Sequence, residues 1–300
     1  MKKSIIIIII LVSFMVGCGN SSIDKSQEDK NRINIIVSIE PQKTFVEKVT
    51  ENLVDIKVVI PQGYSPANYQ PSPREIQDIS NGDAYFSIGV ESEKAFIIPK
   101  LKDFNEDMEL IDLQKKVKEK HELLYIEEEH NDDHDHDEGD IDPHIWLSPK
   151  RVITIVEAVR DYMVEIDSDN KSKYTDNAQE YINELEKLDR DLINTFKELD
   201  TKAFIIYHPA FSYFAKDYGL EMITIEEAGK EATAIRIQNV VDFAKANDIK
   251  VVFYQDEFDS SQAKIIADEI DGEAVEVNPL SGDYINNMYE IRDKFAQVLK

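Results

Sequence analysis

Only one cysteine, Cys18, occurs in the 300 residues, which excludes an internal disulfide framework and any cysteine-rich zinc module. Basic residues are scarce as well: 34 Lys and Arg stand against 60 Asp and Glu, for a formal charge of -26. A surface of that sign repels phosphate backbones instead of releasing their counterions, so nucleic acid is excluded as a partner. No apolar run reaches the roughly 20 residues that span a bilayer, and the longest, Ile5 to Val16, is about a dozen. Nor is there a His-Glu-x-x-His element or comparable catalytic spacing to mark a metallohydrolase. What the chain does have is a hydrophobic fraction of 42% with 9% aromatics, enough for a real core in two modest domains.

The apolar run follows Met1-Lys2-Lys3 and ends at Met15-Val16-Gly17-Cys18, the layout of a positive n-region and h-region in a secretory signal over residues 1–18. Its last residues resemble a bacterial lipobox, which implies that Cys18 is acylated and becomes the first residue of the mature protein. Acyl chains contribute about 0.8 kcal/mol per buried methylene, so two or three would anchor the exported chain to the outer face of the cell membrane. Residues 19–32 are polar and patternless, as a flexible tether is. The folded body is expected to begin near Ile33.

From there the pattern alternates. β-Branched runs predict strands over 33–38, 54–60, 84–90 and 109–113, with helical spacing between them over 45–49, from Ser72 onward and over 94–101. Tyr174, Ala178, Tyr181, Leu185, Leu188, Leu192, Phe196 and Leu199 then form one apolar stripe at spacings of three and four, the longest helix in the chain. Strands over 203–207, 221–225, 251–254 and 273–277, alternating with helices over 212–218, 234–246, 260–270 and 284–299, complete the chain. The expected class is α/β: two lobes, each with a mainly parallel sheet, joined by one long rigid helix. The N-terminal lobe spans 33–170, the linking helix 171–200 and the C-terminal lobe 201–300. In such sheets ligands sit beyond the carboxyl ends of the strands.

Chemistry gathers around the six histidines, four of which fall within fifteen residues. Residues 127–140 hold nine carboxylates and the imidazoles of His130, His134 and His136. Repulsion and a lack of apolar residues keep such a segment unfolded, and its mixed N and O donors suit weak, exchangeable capture of zinc. His144 differs in kind: in Asp142-Pro143-His144-Ile145-Trp146 the proline restricts the backbone and the apolar neighbours can bury themselves. His208 ends the strand Phe204-Ile205-Ile206-Tyr207, which puts an imidazole where an interlobe crevice would lie. Asp256 and Glu257 follow another strand, where solvated carboxylates are common.

Four blocks carry a resemblance: Gly63-Tyr64-Ser65-Pro66-Ala67-Asn68-Tyr69-Gln70-Pro71-Ser72-Pro73, Asp142-Pro143-His144-Ile145-Trp146-Leu147-Ser148-Pro149, Tyr207-His208-Pro209-Ala210-Phe211, and Ile225-Glu226-Glu227-Ala228-Gly229-Lys230-Glu231. Together they resemble the signature blocks of the zinc/manganese solute-binding proteins of ABC transporters, in family order and across essentially the whole chain after the tether. The resemblance implies a non-enzymatic, monomeric receptor that holds a transition-metal ion between two lobes and delivers it to a membrane permease. A His/Asp-rich loop before the Asp-Pro-His block goes with the zinc members, so Zn(II) is the expected ion and Mn(II) the second choice.

Carried over residue by residue, the second family ligand falls on His144 and the third on His208. The first, normally a histidine, falls on Ala67, and the fourth, often an aspartate, on Asn278. Replacement donors are Asn68, Glu257 or a loop histidine, while the amide oxygen of Asn278 can still coordinate without bringing charge. Competing readings are the same fold with another cation or a metal complex, a zinc hydrolase using two histidines and a carboxylate, and a surface adhesin.

Overall fold

In the computed structural model, residues 32–126, 140–226, 230–258 and 260–299 are described. Cys18 with the signal run and tether, and His130, His134 and His136 of the acidic loop, lie outside the described residues.

Eight strands form two four-stranded sheets, ordered β2-β1-β3-β4 and β6-β5-β7-β8, with every pair parallel. The first contains β1 (Ile33–Val37), β2 (Val54–Val58), β3 (Ala84–Ser87) and β4 (Glu109–Asp112). The second contains β5 (Ala203–Ile206), β6 (Glu221–Thr224), β7 (Val251–Gln255) and β8 (Glu273–Val277). Parallel neighbours need crossovers, supplied on the first sheet by α1 (Glu40–Thr50), α2 (Pro73–Ile79) and α3 (Ile98–Phe104). In both sheets the second strand in sequence lies outside the first and the third lies inside. The order therefore reverses beside β1 and beside β5, the position that favours a ligand crevice.

Local chemistry explains most boundaries. Ser72 caps α2 by accepting from the Glu75 amide while Glu75 reaches back to the Ser72 amide at 2.7 Å, a reciprocal capping box before Pro73. The strand expected over 84–90 ends at Ser87, because Ile88 and Gly89 turn their amides onto the Glu93 carboxylate. Gly89 adopts a φ of 91°, and an added Cβ would sit 2.6 Å from the Gln114 side chain, so glycine is required there. Glu93 opens a single π-helical turn, Glu93–Ile97, where an ordinary helix was expected, and α3 continues from it. The strand expected to include Leu113 stops at Asp112, whose side chain accepts the Lys115 amide and starts α4 (Leu113–Lys118).

One large element is additional to the sequence expectation: α5, Pro149–Ile166, 18 residues long. Its signal is plain in hindsight, with Ser148 as cap, Pro149 at the first position, and buried Val152, Ile155, Val156, Val159 and Met163 at helical spacing. A 3-10 turn leads into α6, Lys171–Lys197, whose 27 residues extend about 40 Å. All the stripe residues from Tyr174 to Phe196 are buried. The helix frays before residue 200, and Leu199 packs on the core from outside it. On the second sheet, α7 (Ser212–Tyr218), α8 (Ala234–Ala246), α9 (Ser261–Glu269) and α10 (Tyr284–Val298) follow the strands in turn.

A single apolar cluster runs from the first sheet through α5 and α6 to one face of the second sheet, from Phe45 and Phe86 to Phe253 and Phe295. Phe253 and Phe295 stack at 4.3 Å and 5°. A smaller cluster fills the other face of the second sheet around Val252 and Ile266. The two lobes therefore share a core along the linking helix, and the segments that leave the strands at their carboxyl ends meet across a crevice. Among the described residues no helix is long and apolar enough to cross a membrane.

Candidate metal centre

The crevice is lined by segments that follow strands of both sheets: Ser65 to Ala67 after β2, Val90 and Glu91 after β3, His208 and Ala210 after β5, Glu257 and Phe258 after β7, Pro279 and Leu280 after β8. Pro143, His144 and Trp146 close it from the short 3-10 turn before α5.

His144 and His208 meet here with their Nε2 atoms 3.3 Å apart. Each ring is held from behind by a buried carboxylate. His144 Nδ1 lies 2.7 Å from Asp142 Oδ1, which also accepts the His144 amide at 2.9 Å. His208 Nδ1 lies 2.8 Å from Glu226 Oε2. A carboxylate only accepts, so it fixes the proton on each Nδ1 and leaves each Nε2 as a bare lone pair. In the neutral rings two Nε2 lone pairs thus face each other across the crevice, a pair of donors suited to a cation. Zn–N bonds of about 2.0–2.1 Å at the tetrahedral angle separate two ligand nitrogens by about 3.3 to 3.4 Å, so the observed spacing fits two zinc-bound imidazoles.

The protonation balance agrees. Burial drives the His208 pKa below its usual value, with the hydrogen bond His208 donates to Glu226 opposing and the neighbouring His144 adding to the depression. A neutral imidazole is the form that binds metal. Burial alone would raise the Asp142 pKa, but the attraction it would exert on a protonated His144 ring and the hydrogen bonds it accepts from His144 outweigh burial and hold the carboxyl below the usual range. The surroundings fix the rings further: His208 stacks on Phe258 at 4.4 Å and 21°, and His144 packs against Trp146 at 5.1 Å.

The other expected donors sit differently. Ala67 does line the crevice and offers no donor. Asn68 is exposed beside it, outside the lining, with its amide donating to the Ser65 carbonyl. The Asn278 side chain turns onto its own loop, its Oδ1 accepting the Leu280 amide at 2.9 Å, and the residue is outside the crevice lining. Glu257 lines the crevice, and its Oε2 is buried without a hydrogen-bond partner. Desolvation, with smaller contributions from Asp256 and Glu276, pushes its pKa up to about 7. Asp256 is exposed and outside the lining. His121 stands apart, its Nε2 3.0 Å from the Thr154 hydroxyl. Among the described residues, no three His, Cys, Asp or Glu side chains already surround one point closely enough to hold an ion.

Sequence reasoning named the two imidazoles that the structure brings together and gave no place to Asp142 and Glu226 behind them, although both stand in the quoted blocks. It also passed over Glu91, whose only signal is its position just beyond a strand.

Comparison with known proteins points the same way. The zinc-binding lipoprotein AdcA of Streptococcus pneumoniae is 29% identical over 289 residues, covering 93% of this chain and 56% of that protein. The chain thus spans little more than half the length of that relative. The high-affinity zinc uptake system protein ZnuA of Bacillus subtilis is 30% identical over 277 residues, covering 89% of this chain and 85% of that protein. A crystal structure of ZnuA superimposes with a TM-score of 0.82 at 32% identity, covering 90% of this chain and 100% of that one. The family model described as zinc-uptake complex component A, periplasmic, matches residues 35–298, essentially the whole folded body, and the chain belongs to that ZnuA family.

Proposed function

We propose that the protein is an extracytoplasmic zinc receptor that binds one ion between His144 and His208 and delivers it to the permease of an ABC importer. The observation that carries this reading is the pair of opposed Nε2 atoms at 3.3 Å, each ring oriented through Nδ1 by its own carboxylate. Metal-binding histidines characteristically donate their second nitrogen to a carboxylate, which fixes the tautomer and raises ligand basicity. Imidazole donors favour zinc over manganese, which prefers oxygen. Membership of a family of solute-binding receptors, with relatives named for zinc uptake, favours a carrier over a hydrolase or adhesin.

Lipid attachment through Cys18 would keep the receptor beside its permease, and a monomer suffices because both imidazoles come from one chain. The histidines of residues 127–140 would gather zinc for transfer to the crevice; the flanking residues Tyr125 and Ile141 are joined by a bridge, and Ile141 directly precedes Asp142.

Competition against a chromophoric chelator tests the reading. The unsubstituted chain should hold one tight equivalent of zinc, and His144→Ala and His208→Ala should each remove it while weaker equivalents persist. Unchanged tight binding in both variants would make the histidines structural.

A further inference from the structure

Two imidazoles cannot complete a zinc shell, and the described crevice offers few further donors. Ala67 has none, and Asn278 lies outside the lining with its oxygen turned to the Leu280 amide. Two carboxylates line the wall, Glu91 and Glu257, and several observations single out the second.

Glu257 belongs to a turn that is fastened to His208 on both sides. Before it, the fully buried Gln255 amide clamps the His208 main chain in both directions, donating from Nε2 to the His208 carbonyl at 2.8 Å and accepting the His208 amide at 3.3 Å. After it, Phe258 donates its amide to the Gln255 carbonyl at 3.2 Å and stacks its ring on the His208 imidazole. The carboxylate between these two anchors is thereby carried wherever His208 goes. Its Oε2 is nevertheless buried with no partner. An unsatisfied buried acceptor destabilises a fold, more so when charged, and for this carboxylate the opposing contribution is a hydrogen bond from its own main-chain amide.

We infer that Glu257 is the third protein donor to the ion, its carboxylate replacing both the imidazole absent at Ala67 and the acid absent at Asn278. The site is then a two-histidine, one-carboxylate set with a fourth position left for water. In the present conformation the carboxylate does not yet converge with the imidazoles; a rotation of its long unbranched side chain is the remaining step. A divalent ion held by two neutral rings gains direct charge compensation from this residue, and an open fourth position gives a permease an entry point for taking the ion away.

The inference rests on the receptor reading, and one set of titrations separates the two. The full chain, Glu257→Gln and Glu91→Gln are titrated with Zn(II) alone, below one equivalent, against a chromophoric chelator, and each is melted with and without zinc. Glu257→Gln should weaken the tight equivalent by at least about tenfold, the scale on which even supporting groups of a metal site act. Its metal-free melting temperature should equal or exceed that of the unsubstituted chain, because a neutral amide replaces an acid whose buried Oε2 has no partner, while the rise on adding zinc should shrink.

Three results would overturn the inference. The first is undiminished affinity in Glu257→Gln beside an intact tight equivalent, which leaves the receptor reading standing. The second is loss in Glu91→Gln alone. The third is a lowered metal-free melt in Glu257→Gln, which would mark a structural carboxylate. If the unsubstituted chain holds no tight equivalent, the receptor reading falls and this inference with it.

Discussion

Asp142 shows how much of a candidate metal site can reside in residues that need not touch an ion. One oxygen of its carboxylate accepts both the amide and the Nδ1 of His144, and its backbone carbonyl accepts the Tyr213 hydroxyl at 2.9 Å. The short sequence Asp-Pro-His is therefore a closed device: the proline limits the backbone, the acid aims the ring, and the ring presents Nε2 to the crevice. Asp142→Asn keeps the shape and removes the charge. Zinc affinity should drop by about 10- to 100-fold, read by chelator competition, and an unchanged affinity would mean that the carboxylate only shapes the turn. His144 and His208 were legible because each adjoins a proline and borders an apolar segment, His144 before one and His208 after one. Their carboxylate partners were not, since an acid in a quoted block carries no mark of the direction it faces. Glu226 is 18 positions from the ring it holds, and no local spacing reveals such a pair.

At the scale of elements, periodicity served well wherever one face is buried. The stripe from Tyr174 to Phe196 repeats at three and four because α6 packs one side on α5, α1 and α10, leaving the other to solvent. Parallel strands were equally legible from their β-branched runs. Two elements were not. The α5 helix begins inside a block whose chemistry drew attention to its histidine, and Arg151 and Thr154 are buried among its apolar positions, which blurs the stripe. The π turn at Glu93 depends on a fully buried carboxylate that gathers the Ile88 and Gly89 amides and the Ser38 hydroxyl, a convergence of distant segments. The linking role of α6 is open to test at Leu188, fully buried one turn beyond its midpoint. Leu188→Ala should destabilise the fold by about 2–5 kcal/mol through lost burial and a residual cavity. The denaturation midpoint reads this, and a loss under about 1 kcal/mol would show that the lobes do not depend on the helix packing.

Over the whole molecule, the spacing of the two imidazoles is a property of how the lobes are joined, because His144 precedes α5 and His208 follows β5. Buried ties cross between these regions. Trp146 Nε1 donates to the Pro279 carbonyl at 2.9 Å and the Tyr284 hydroxyl donates to the Trp146 carbonyl at 2.8 Å. Arg151, at the start of α5, pairs with Asp217 of α7 at 2.7 Å, donates to the Glu122 carbonyl, and lies over the Tyr213 ring at 4.3 Å. Ser148 joins the same Asp217 oxygen at 2.5 Å. This network brackets the 142–147 segment and fastens it to the helix that follows His208. Removing one partner of a buried pair leaves the other charge uncompensated, so Asp217→Ala should cost about 3–5 kcal/mol. It should also weaken zinc binding, since the segment that carries His144 loses its tie to α7. By contrast, Lys216 on the same helix pairs with the mostly exposed Glu122 side chain at 2.8 Å, and Lys216→Ala should change stability by less than about 1 kcal/mol. Replacing the buried pair together, as Arg151→Met with Asp217→Leu, should recover most of the lost stability. Denaturation and zinc competition on the same three variants decide the matter: if Asp217→Ala lowers stability while zinc affinity stays intact, the network holds the fold together without setting the distance between the two imidazoles.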